Sequence, residues 1–164
     1  WFDRMTMDTA RRPMIARLRE LDRHGRFRVF CPLTDGGSPI VVHSKVSIFD
    51  DKILCIGSSN MNNRSAAYDT ECELAVHVVD DTGRAEIAQF RDKLISHYLG
   101  ASSGPPGVCV GGRGLIAALD QLRSPRLAPL PADGGSPFDR LMGRLHLGDP
   151  RDRHESWRLR WRRR

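Results

Sequence analysis

Ile40-Val-Val-His43-Ser-Lys45-Val-Ser-Ile-Phe-Asp50-Asp-Lys-Ile-Leu-Cys-Ile-Gly57-Ser58-Ser-Asn60 is the stretch on which the reading of this chain turns. Residues 40–50 and 53–57 are rich in Val and Ile, so they read as two extended runs joined by a tight turn at Asp51-Lys52. Alternation along the first run sends His43 and Lys45 to one face. Gly57 ends the returning run where the backbone has to pass close to something, and Ser58 and Asn60 supply short donors beside it. A neutral imidazole attacks or accepts a proton at ordinary pH, and a neighbouring ammonium neutralises a phosphate oxygen. A histidine, a lysine, a hydroxyl and an amide converging at one end of a hairpin make an oxyanion pocket for a phosphate.

Working outward, residues 71–79 alternate cleanly. Cys72, Leu74, Val76 and Val78 fall on one face, and Glu71, Glu73 and His77 on the other. Glu71 or Glu73 is placed to accept the other imidazole N–H and hold the ring's tautomer. The nearby acids are scattered and His43 lacks a second ligand at metal spacing, so the segment calls for no metal and no cofactor.

Around this centre the periodicity predicts a helix over 9–24, with Ala10, Met14, Leu18 and Leu21 as its apolar stripe and Pro13 near its first turn. A strand over 26–31 and a turn over 35–39 follow, and residues 58–70 read as polar and irregular. A second helix is expected over 84–99, burying Ile87, Phe90, Leu94, Ile95 and Tyr98, then a loop over 100–114 and a short helix over 115–123. Beyond residue 124 repeated Pro, Gly and Arg break every pattern. The expected class is α/β, a mixed β-sheet flanked by helices, with one half-domain over 1–123 and a linker or tail over 124–164.

Composition narrows the function classes. With 164 residues, 40% of them hydrophobic, and a mean hydropathy of −0.43, the chain can build a core. It has no apolar run near the ~20 residues of a membrane-spanning helix. The net charge of +6 sits in the tail: residues 1–123 carry 16 basic against 15 acidic side chains, residues 124–164 carry 10 against 5. A near-neutral body argues against a nucleic-acid partner. Cys31, Cys55, Cys72 and Cys109 are too far apart for a C-x-x-C motif and read as small structural thiols that suit a reducing compartment. Trp157-Arg-Leu-Arg-Trp161-Arg-Arg-Arg has a composition that suits an anionic membrane surface, with a disordered, solvated tail as the plainer expectation. Trp1-Phe2-Asp3-Arg4 lacks an initiator Met and a signal pattern and reads as the interior of a longer protein, so localisation stays open between cytoplasmic and peripheral to a membrane.

His43-x-Lys45-x4-Asp50-x6-Gly57-Ser58-x-Asn60 resembles the HKD motif of the phospholipase D superfamily. The flanks, Asn62-Asn63-Arg64-Ser65 and Asp69-Thr-Glu71-Cys-Glu73-Leu-Ala-Val, resemble the C-terminal motif half of phospholipase D proper rather than cardiolipin synthases or the short nucleases, and the likeness covers about residues 1–123. The resemblance implies a metal-free reaction through a phosphohistidine, with two motifs facing across one pocket. It implies His43 as general acid and base, Lys45, Ser58 and Asn60 on the phosphate oxygens, Glu71 paired with His43 (Glu73 as fallback), and Asp50 ordering the hairpin. No second His-x-Lys occurs in the sequence. The chain is therefore expected to need a second half, from a missing N-terminal region or a homodimer mate. The expected activity is phospholipase D-type hydrolysis of a glycerophospholipid. Phosphatidyl transfer in the manner of cardiolipin synthase, a nuclease and a non-catalytic module stand as the alternatives.

Overall fold

The computed structural model describes residues 2–100, 114–121, 124–130 and 136–137. The loop over 101–113 with Cys109, residues 122–123 and the Arg-rich tail over 138–164 lie outside the described residues. The elements run α1 (Phe2–Leu21), β1 (Phe30–Pro32), β2 (Lys45–Phe49), β3 (Ile53–Gly57), α2 (Asn63–Ala67), β4 (Glu73–His77), α3 (Asp81–Leu99), α4 (Leu115–Gln121) and β5 (Leu127–Pro129). Helices with two small antiparallel sheets make the mixed α/β fold expected of a phospholipase D-like half-domain. The described residues divide into two compact units. One holds residues 2–27 with Ser59–Cys72; the other holds Arg28–Ser58 and the described part of Glu73–Leu130.

In the first unit, α1 starts seven residues earlier than the stripe predicts, which puts Pro13 in its interior rather than its first turn. There it removes one ladder donor, at a typical cost of about 3 kcal/mol. Among the described side chains of α1, Ile15 is buried at 4% exposure, whereas Met14, Leu18 and Leu21 of the expected stripe are exposed. Asp22 closes the exit from α1: its carboxylate accepts the N–H groups of Arg26 and Phe27 at 2.9 and 2.8 Å. Residues 58–70, expected to be irregular, contain the short helix α2. Asn62 caps it, its side-chain oxygen accepting the Ser65 N–H at 2.9 Å, and Arg64 closes the far end on Asp69 at 3.0 Å.

The second unit is built on the sheet β2-β3-β4. The β2–β3 hairpin pairs Lys45 with Gly57 and Phe49 with Ile53, and β3–β4 pairs Gly57 with Glu73 and Ile53 with His77. Residues opposite each other share a face, so Val46, Ile48, Leu54, Ile56, Leu74 and Val76 form one apolar face. The turn falls at Asp50–Lys52, with Asp50 and Asp51 left-handed at φ 51° and 54° and the Lys52 N–H donating to the Phe49 carbonyl at 2.9 Å. Asp80 caps α3 by accepting the Gly83 N–H at 2.7 Å, and left-handed Gly100 (φ 74°) ends it. Gly83 has to be glycine, because a Cβ there would stand 2.7 Å from the Val78 side chain. Ile87 is buried at 4% and the rest of the predicted α3 stripe is half-buried.

The strands too differ from the sequence expectation: the one expected over 26–31 is confined to Phe30–Pro32. Residues 40–44 precede β2 rather than extending it. Residues 127–129, read as tail because of their prolines, form β5 on β1, with Pro32 and Pro129 at strand ends where their missing donors interrupt no interior ladder. Arg28 also reaches α4, donating from Nε and Nη2 to the Asp120 carboxylate at 2.8 and 2.7 Å. That hydrogen bond holds the Asp120 carboxyl below its ordinary value of 3.8. A lowered carboxylate contributes stability above its ordinary pKa and loses it as pH falls through the lowered value. The pair is exposed, so the effect on stability is small. An NMR titration should place the Asp120 midpoint below 3.8, and Arg28→Ala should return it to that value.

Cys31, Cys55 and Cys72 form no disulfide; the first two are half-buried, and Cys72, expected within a packed strand, is exposed just before β4. No helix among the described residues is long and apolar enough to cross a membrane.

Candidate active site

The hairpin brings its two ends to different work. At the open end, Lys45 begins β2 directly opposite Gly57, the last residue of β3. Lys45 is half-buried and His43 exposed, and the Lys45 Nζ lies 3.3 Å from His43 Nδ1 and 3.4 Å from Nε2. The convergence of His43 and Lys45 read from the sequence is therefore present, although His43 precedes the strand. Ser58 follows Gly57 at this same end of the hairpin.

Asp50 is at the other end. Five residues of extended chain separate it from Lys45, about 16 Å at the usual rise, and it is an exposed turn residue. It stands in the turn and away from His43; the role that the resemblance implies for it is to order the hairpin. Aspartate tolerates the left-handed backbone better than most side chains, which gives a physical reason for the residue type at that position.

Asn60 and Glu71 belong to the other compact unit. There the Asn60 N–H donates to Ser65 Oγ at 3.0 Å and its carbonyl accepts the Asn62 N–H at 2.8 Å, so the capping of α2 fixes the Asn60 backbone. Glu73, the fallback acid, lies in the sheet itself: Lys45, Gly57 and Glu73 form one row on one face.

Sequence reasoning missed the group that holds the hairpin's turn. Arg91 of α3 donates to Asp51 and to Asp92, the latter at 3.0 Å, and Asp92 is 5% exposed. Burial alone would lower the Arg91 guanidinium, but the hydrogen bonds and charges of Asp51 and Asp92 outweigh it and hold Arg91 above its ordinary value. Asp51 and Arg91 are 40 residues apart, and no local pattern announces such a pair. It also missed the exposure of the run before the motif: Val41 is 84% exposed, next to half-exposed Ile40 and Val42.

Residues 3–97, more than half of the chain, match the PLD-like domain of cardiolipin synthase. The chain belongs to this phospholipase D-like family. A curated relative, phospholipase D B of Dictyostelium discoideum, is 51% identical over 43 residues, which are 26% of this chain. The matched stretch spans only 4% of that protein's length. No solved structure matches.

Proposed function

We propose that this chain supplies one of the two motif halves of a phospholipase D-type phosphodiesterase that hydrolyses glycerophospholipids to phosphatidic acid and an alcohol. The observation that carries the reading is the Lys45 ammonium set 3.3 and 3.4 Å from the two His43 ring nitrogens at the open end of the hairpin. An entering phosphodiester offers Lys45 a charged acceptor, which draws the ammonium onto a phosphate oxygen and releases the ring for proton transfer. Lys45, Ser58 and Asn60 hold the phosphate. The histidine of the second half attacks phosphorus, a P–N bond forms, the P–O bond to the leaving alcohol breaks, and protonated His43 gives its proton to the departing oxygen. His43, now neutral, takes a proton from water; the water oxygen bonds to phosphorus, the P–N bond breaks, and phosphatidic acid leaves. Glu71 holds the His43 tautomer, with Glu73 as the second acid. The Arg-rich tail adds attraction to an anionic lipid surface.

A second reading has its own support, because the matching family is described as cardiolipin synthase. In it a second alcohol replaces water in the last step, and the product is a new phosphodiester. One assay separates the two: phosphatidylcholine with added glycerol, presented to this chain combined with a second motif half. Hydrolysis gives phosphatidic acid in proportion to choline released; transfer gives phosphatidylglycerol instead. The isolated chain as a monomer should give neither, and steady turnover by a purified monomer would overturn the half-site reading.

The same chemistry needs no divalent ion, since Lys45, Asn60 and the imidazoles supply the positive charge and donors at phosphorus. With a soluble phosphodiester, turnover should survive excess EDTA. Loss on chelation that one divalent ion restores would contradict this mechanism.

A further inference from the structure

We propose that Ser65 is a positioning residue for Asn60: its hydroxyl oxygen, by accepting the Asn60 N–H, sets where the Asn60 carboxamide meets a phosphate oxygen. The inference rests on the phosphate role proposed above for Asn60. Residues 58–62 lie between β3 and α2, so their backbone groups have to find partners outside any regular ladder. Asn60 finds both of its partners within five residues. Its N–H donates to Ser65 Oγ at 3.0 Å, and its carbonyl accepts the Asn62 N–H at 2.8 Å. The Ser65 N–H donates in turn to Asn62 Oδ1 at 2.9 Å. Three residues thus close a ring in which each donates once and accepts once.

The ring does for Asn60 what a strand ladder does elsewhere. With both backbone groups tied, the Cα–Cβ bond of Asn60 has one direction, and only the side-chain torsions stay free. Asn60 is exposed, so its carboxamide is the part left for a ligand. A hydrogen bond weakens steeply as its angle closes, and a swing of the loop would lose the phosphate bond without losing the residue. α2 has five residues and none of them is buried, so its order comes from its ends. Asn62 caps one end, and Arg64 bonds Asp69 at 3.0 Å at the other. Through the ring that order extends to Asn60.

Only one of the two ring bonds of Ser65 uses its side chain. Ser65→Ala removes Oγ and keeps the N–H on Asn62. Alanine is also the best helix former, so α2 retains its cap and its propensity. What the variant cuts is the tie to Asn60.

The test has one arm without activity and one with it. In the full 164-residue chain labelled with ¹⁵N, Ser65→Ala should lower the Asn60 amide order parameter toward the ~0.6 of flexible backbone, while the Ser65-position amide keeps its value. In the chain combined with a second motif half, turnover of bis(4-nitrophenyl) phosphate is then compared across a double-mutant cycle. Asn60→Ala should lower kcat/KM by about 10–100-fold, the range of a hydrogen bond to a charged group. Ser65→Ala should lower it about tenfold, and Ser65→Thr, which keeps the hydroxyl, should restore it. Ser65→Ala added to Asn60→Ala should cost nothing further, whereas damage to the fold would multiply through both backgrounds. An unchanged Asn60 order parameter in Ser65→Ala, or a loss that persists in the Asn60→Ala background, would overturn the proposal. Turnover lowered by Asn60→Ala and untouched by Ser65→Ala would overturn it alone and leave the phosphate role of Asn60 standing. Turnover untouched by Asn60→Ala would remove that role, and the proposal with it.

Discussion

His43→Ala, in this chain combined with a second motif half, should cut phosphatidylcholine hydrolysis by about 10²–10⁴-fold, the usual share of general acid catalysis. Choline leaves as a poor alkoxide and needs the proton His43 carries. An aryl phosphodiester leaves without one, so in the same variant the first step should persist. Nitrophenol should then appear as a burst of one equivalent per site, after which the phosphohistidine on the other half accumulates, because no base remains to activate water. Lys45→Ala makes the contrast. It removes the cation 3.3 Å from the ring and on the phosphate, so both substrates should slow and no burst should form. The measurement is rapid-quench nitrophenol release with trapping of the adduct. If His43→Ala abolishes the burst and loss of the other histidine preserves it, His43 is the nucleophile and the two roles are exchanged.

What the sequence made legible follows from the range over which its signals act. The hairpin and β4 were readable because a period of two, repeated over five residues, sorts Val46, Ile48, Leu54, Ile56, Leu74 and Val76 onto one face without knowledge of anything distant. The closeness of His43 and Lys45 was readable from their spacing of two, although His43 stands before the strand rather than in it. The buried side of α1 was not. Its Met14, Leu18 and Leu21 have helical spacing yet are exposed, while their neighbour Ile15 packs, because burial depends on what the helix meets. β5 was hidden by Pro129, which reads as a breaker until β1 supplies a partner strand. Asp50, expected to order the hairpin, stands in its turn, because five residues of extended strand carry it about 16 Å from Lys45. The grip of Arg91 on Asp51 crosses 40 residues and was not legible at all.

That grip carries the largest stability effect expected in the second unit. Arg91 and Asp92 have side chains 16% and 6% exposed, so removing the guanidinium leaves Asp92 buried without its counter-charge. Breaking a buried pair from one side typically costs about 3–5 kcal/mol, a large part of the ~5–15 kcal/mol that holds a domain together. Arg91→Ala should therefore lower the melting temperature by more than about 10 °C and raise hydrogen exchange at the amides of β2, β3 and α3 together. Asp51→Asn should cost less, because Asp51 is 32% exposed and asparagine keeps the left-handed backbone at φ 54°. The informative variant is the double one. Arg91→Met with Asp92→Leu removes both charges at once, leaves only the partly solvated Asp51, and should recover most of the loss. A double variant as unstable as Arg91→Ala would mean that the packing around α3, and not the uncompensated carboxylate, sets the cost. An Arg91→Ala protein with unchanged exchange at the hairpin would show that the turn holds its left-handed pair of aspartates without help from the helix.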